Sequence, residues 1–142
     1  MKLTRNFTLE ELCRSTTAER MGIRNIPTDE AVVENLRNLC FEVLQPLRDH
    51  IGAAVTVNSG YRCQELNKAV GGAQRSQHLR GEAADLHIDS LRQGRQWAEW
   101  IEDNCRFDQM LLERNGKAVW LHVSCKRIAS ANRQVFSRIN VL

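Results

Sequence analysis

Along the first third of the chain, apolar residues recur at the three- and four-residue spacing of an amphipathic helix. Thr8-Leu-Glu-Glu11 has the form of a capping box, in which a threonine hydroxyl and a glutamate three residues on satisfy each other's free amides. It predicts a short helix ending near Ser15. Ile26-Pro27-Thr28-Asp29 opens a longer helix, with Val32, Val33, Leu36, Leu39, Cys40, Val43, Leu44 and Leu47 on its buried side. Pro46 has no amide hydrogen and its ring crowds the preceding turn, so that helix is expected to bend or break there.

The pattern then changes period. Ala54 to Asn58 is a short β-branched run, and Gly60 marks a tight turn into a helix from about Cys63 to Val70, stopped by Gly71-Gly72. Ser76 to Gly81 reads as loop and Ala83 to Ile88 as a strand. Ser90-Leu-Arg-Gln93 is a second capping box, opening a helix to about Asn104 with Trp97, Trp100 and Ile101 on its buried face. Phe107 to Glu113 and Lys117 to Ser124 are two apolar strands joined through Asn115-Gly116, a strong hairpin signal. A last strand is expected over 134–139. This order predicts an α+β fold, a small antiparallel sheet with helices packed around it.

The 142 residues fit a single domain spanning 1–142, able to bury about two-thirds of the surface its unfolded form exposes. With 42% apolar and 26% charged residues the composition is that of a globular protein. A net charge of +3, spread thinly apart from Lys126, Arg127, Arg133 and Arg138, is too mild to argue for nucleic acid, yet suits an anionic polymer such as a cell wall. No 18-residue apolar run and no signal-like h-region occur, so the expectation is a chain made in the cytoplasm without a signal peptide and without membrane insertion. Five dispersed cysteines with no Cys-x-x-Cys pair are expected to be reduced. Nothing suggests more than a monomer.

The chemistry concentrates in Ser76-Gln-His78-Leu-Arg-Gly81-Glu-Ala-Ala-Asp85-Leu-His87. Here a histidine stands in a glycine-containing loop and an aspartate inside an apolar strand, where a carboxylate needs a partner. Zinc is one such partner, since imidazole and carboxylate are ordinary ligands and hydrolytic sites use three of them. His122, polar within the apolar run Val119 to Ser124, is the candidate third ligand. Each residue has a plainer reading: His122 as a satisfied strand histidine, and Asp85 as a cap or a partner of Arg75 or Arg80. His87 would crowd a fourth protein group onto the metal and is read as supporting or structural. His50 suits the end of its helix.

Ser76, His78, Gly81, Ala83 and Asp85, followed by Trp120-Leu-His122-Val-Ser124, resemble the zinc D-alanyl-D-alanine carboxypeptidase family, which includes peptidoglycan peptidases and phage endolysins and shares its metal site with the hedgehog domain. The resemblance covers about Ser59 to Ser124. It implies a Zn2+ site of His78, Asp85 and His122, one ion per chain, in which the metal polarises the scissile carbonyl and activates water while a carboxylate moves the proton.

Glu113 is the candidate base, because it ends the hairpin arm opposite the one bearing His122 and related domains place their base there. Asp108 is the competitor. Several relatives carry the base three residues before the last histidine, where this chain has Val119. The resemblance also implies that Arg62 stabilises an oxyanion or binds a terminal carboxylate, and that Ser76 contacts substrate; Trp120 lines the cleft or packs in the core. The implied activity is hydrolysis of peptidoglycan stem peptides, as a carboxypeptidase or an endopeptidase, reaching the wall after release. The alternative is a zinc-containing binding or virion structural module with the same fold.

Overall fold

The computed structural model describes residues 1–127 and the strand Val135–Val141. Two short strands, β1 (Lys2–Thr4) and β2 (Phe7–Thr8), pair antiparallel ahead of helix α1 (Leu9–Cys13). The first capping box forms as expected, with Thr8 accepting from the Glu11 amide. Helix α2 (Thr16–Met21), capped by Ser15, has too few apolar residues to be read from periodicity.

The long helix runs as α3 (Glu30–Leu39), a π-helical turn (Cys40–Leu44) and α4 (Gln45–Ile51). The wide turn falls just ahead of Pro46, and the Gln45 amide bonds the Cys40 carbonyl five residues back. An inserted residue is how a helix passes a proline without breaking. Leu36, Leu39, Cys40, Val43, Leu44 and Leu47 are all completely buried.

Strand β3 (Val57–Ser59) lies later than the β-branched run suggested, and α5 (Gln64–Ala69) follows it. The stretch read as loop contains a 3-10 turn, Gln77–Arg80, which leads into β4 (Ala83–His87). Helix α6 (Leu91–Asn104) starts at its Ser90 cap and buries Gly94, Ala98 and Ile101, while Trp97 and Trp100 are only partly covered. Strands β5 (Gln109–Asn115) and β6 (Ala118–Ser124) form the expected hairpin. The strand expected over 134–139 is β7 (Val135–Val141), whereas Gln134 and Arg133 lie outside the described residues.

The main sheet has the order β3-β4-β6-β5-β7. Its pairings are antiparallel except that β7 joins β5 in parallel. Alternation along the central strands sorts residues between two faces. Ala84, Leu86, Met110, Leu112, Leu121 and Val123 belong to the core together with the long helix and α6. The opposite face carries Asp85 beside His122, and His122 beside Leu111, with Trp120 between His87 and Glu113 in the next row. An unbroken β4–β6–β5 register keeps these polar side chains in line. All five cysteines are free, and burial pushes the Cys13, Cys40 and Cys125 thiols up to about 12, so they behave as small apolar side chains. Among the described residues no helix is long and apolar enough to cross a membrane.

Two glycines dock the loops of the polar face. A Cβ at Gly60 would stand 2.3 Å from the Leu12 carbonyl oxygen, which accepts the Tyr61 amide at 2.7 Å. Gly81 has φ 73° and lies against Val32 of α3. Gly60→Ala should therefore cost about 1–3 kcal/mol through overpacking against main chain. Denaturant unfolding checks this, and an unchanged midpoint would mean that α1 moves aside freely.

Candidate metal centre and cleft

His78 arrives on the 3-10 turn, whose Ser76 cap accepts the His78 amide at 3.2 Å. Asp85 comes from β4 and His122 from β6, directly paired across the sheet. His122 Nδ1 is 2.9 Å from Asp85 Oδ1, and His78 Nε2 is 3.4 Å from Asp85 Oδ2. The ligand-capable atoms of the three residues all lie within 4.8 Å of one another, and both histidines are buried. His78, Asp85 and His122, expected to converge, do so.

Each imidazole is already engaged on its far side. His78 Nδ1 is 2.7 Å from the Gly60 carbonyl, and His122 Nε2 is 2.9 Å from Gln77 Oε1. Both partners are acceptors, so these ring nitrogens donate. A neutral imidazole has only one N–H, which leaves His78 Nε2 and His122 Nδ1 with their lone pairs turned towards an acceptor-only carboxylate. A cation resolves that opposition. Two donors bound at about 2.0–2.1 Å to a tetrahedral zinc stand about 3.3 Å apart, close to the separations found here. Two imidazoles and a carboxylate are moreover an ordinary ligand set for a hydrolytic zinc centre, so these residues fit zinc.

Burial by itself would raise the Asp85 carboxyl. When His122 and His78 carry a second proton, their hydrogen bonds and positive charge outweigh it and hold the group well below the usual carboxylate range.

The three residues sit in a cleft of about 730 Å³ that is also lined by Arg62, Ser76, Gln77, Leu111, Glu113 and Trp120. Glu113 is 9% exposed, and the Trp120 indole N–H donates to its Oε1 at 3.2 Å. Trp120 thus faces the cleft rather than the core. Asp108 does not line it: just ahead of β5, it accepts the Lys126 amide at 2.8 Å. Burial raises the Asp108 carboxyl against the lowering pull of that amide. His87 is exposed beside Asp89, and His50 stacks on Trp100 with ring centroids 4.4 Å apart, on a helix outside the cleft.

Arg62 is held at the cleft by its main chain. Its amide donates to the His78 carbonyl at 3.1 Å, while Asn25, 7% exposed, donates to the Cys13 and Tyr61 carbonyls and accepts the Cys63 amide, each at 2.8 Å. The guanidinium bonds Ser76 Oγ at 3.4 Å, and its buried Nε has no hydrogen-bond partner among the described residues. Burial lowers its proton affinity, against the opposing pull of Asp85. Ser76 therefore caps the His78 turn and also touches Arg62. Sequence reasoning missed Asn25 and Gln77, because their side chains act through contacts distant in the chain that leave no mark on local periodicity.

The sequence model of the Peptidase M15 family matches residues 5–124. The chain belongs to that family. M15 proteins are zinc peptidases, so the protein is a hydrolase of the metallopeptidase class. The match takes in every residue of the cleft named above and stops before β7. No curated protein matches the chain.

In the metal-free protein, a carboxyl held low contributes stability that is fully present above its unfolded value, about 3.9. That contribution is lost as the pH falls through the folded value. Thermal melts of chelator-treated wild type and Asp85→Asn should thus show a gap that narrows below about pH 4. A gap independent of pH would mean that the Asp85 charge is not what matters to folding.

Proposed function

We propose that this M15 protein hydrolyses peptide bonds in the stem peptides of peptidoglycan, with His78, Asp85 and His122 as zinc ligands. The observation that carries the reading is the convergence of this ligand trio with a buried carboxylate and a fixed guanidinium in one cleft. Zinc bound there supplies Lewis acidity and a water acidic enough to react near neutral pH.

Glu113 is the general base. It shares a sheet face with His122, and the Trp120 N–H fixes the orientation of its carboxylate. It takes a proton from the attacking water and returns it to the leaving amine. Arg62 offers an unused buried N–H and a positive charge beside the ligands, suited to a developing oxyanion or a substrate carboxylate. Ser76 accepts from that guanidinium, and Trp120 gives the substrate backbone an apolar wall.

A smaller cavity of about 220 Å³ shares Arg62, Val70 and Asp85 with the main cleft. Substrate thus has space on both sides of the ligands, which favours cutting within a stem or crosslink over removal of a terminal D-alanine. A wall-lytic role of the endolysin kind is consistent with that.

Glu113→Gln should lower turnover of purified peptidoglycan by about 10²–10⁴-fold while zinc content is retained. Full activity in that variant would sink Glu113 as the base, and zinc binding without hydrolysis by the wild type would favour a binding module. Crosslinked muropeptide dimers should be cut more readily than monomeric stems ending in D-Ala-D-Ala. Mass spectrometry reads the products, and release of terminal D-alanine alone would make the protein a carboxypeptidase.

A further inference from the structure

The two histidines of the trio are held in different ways. His78 donates from Nδ1 to a main-chain carbonyl, that of Gly60. His122 donates from Nε2 to a side chain, Gln77 Oε1, at 2.9 Å. The first arrangement survives any substitution that keeps the backbone in place, whereas the second depends on one replaceable amide.

We propose that Gln77 is a positioning residue that selects the ring nitrogen His122 offers to the metal, and that it thereby sets metal affinity without binding the metal itself. The proposal rests on the zinc reading of His78, Asp85 and His122.

Gln77 opens the 3-10 turn that also carries His78, so a single turn delivers one ligand directly and orients a second across the cleft. Because Oε1 is an acceptor, it is satisfied only by the His122 tautomer with hydrogen on Nε2, which leaves the Nδ1 lone pair towards Asp85. Without Gln77, the neutral ring gains by moving its hydrogen to Nδ1, where it donates to Asp85 Oδ1 at 2.9 Å. That tautomer places a hydrogen where the metal must bind, so it competes with metal for the same nitrogen. The main-chain role of Gln77 is separate: its carbonyl accepts the Glu82 amide at 3.1 Å, a bond that replacing the side chain leaves in place.

The test compares the wild type with Gln77→Leu, which has similar bulk but no acceptor, and Gln77→Glu, whose carboxylate accepts from the same N–H. Each protein is stripped of metal, melted, and titrated with zinc against a chromophoric chelator. Gln77→Leu should melt like the wild type when metal-free yet bind zinc about 10–100-fold more weakly, with Gln77→Glu at or above wild-type affinity. Equal affinity in Gln77→Leu, or an affinity in Gln77→Glu as weak as that of Gln77→Leu, would overturn the positioning role. A wild type that binds no zinc would overturn the metal centre itself, and with it this inference.

Discussion

The structure turns on a carboxylate held between two imidazoles that, when neutral, have nothing left to donate to it. Asp85 stands on the polar face of the sheet, with His122 directly across the ladder and His78 above it on the 3-10 turn. Were both rings free to rotate or shift tautomer, the trio would be a closed hydrogen-bonded network with no call for a metal. The Gly60 carbonyl and the Gln77 amide remove that freedom from the neutral rings, and the cost of turning two lone pairs on a carboxylate is offset when a proton or a metal cation lies between them.

Much of the surrounding architecture serves that constraint. The antiparallel centre of the sheet gives each strand one face for the core and one for chemistry, so Leu86 and Leu121 anchor the same strands that present Asp85 and His122. The turn carrying His78 belongs to no strand and is fastened separately. Ser76 caps it, Gly81 seats it against α3, and Asn35 donates to the Arg80 carbonyl at 2.8 Å. Arg62 is joined to the same turn through the His78 carbonyl, so imidazole and guanidinium share one support. Preorganisation of this kind lets fixed charges act on a reaction without first having to be assembled.

The parts legible in the sequence were those encoded locally. Thr8-Leu-Glu-Glu11 and Ser90-Leu-Arg-Gln93 announced their helices because a cap is a short-range bargain between neighbours, and Asn115-Gly116 announced the hairpin for the same reason. Asp85 and His122 stood out because a polar residue inside an apolar strand is locally anomalous, His78 because it stands in a glycine-containing loop, and the three were joined as a ligand set by the resemblance of their motifs. Other features were not legible. The π-helical turn ahead of Pro46 keeps the helical period almost intact, and the parallel pairing of β7 with β5 joins strands distant in the chain that no local motif links. Asp108 and Glu113 were hard to separate until the register showed β5 to be regular against β6, which directs only Glu113 into the cleft. Asn25 and Gln77 looked like ordinary polar residues, since the partners of Asn25 stand 12, 36 and 38 residues away and that of Gln77 stands 45 away.

The central claim is that this cleft is a zinc-dependent hydrolytic site, and the most direct test pairs elemental analysis of the purified protein with amine release from peptidoglycan before and after chelation. The account predicts about one zinc per chain and release that stops on chelation and returns with added zinc. Release that persists in protein shown to be free of metal would contradict it.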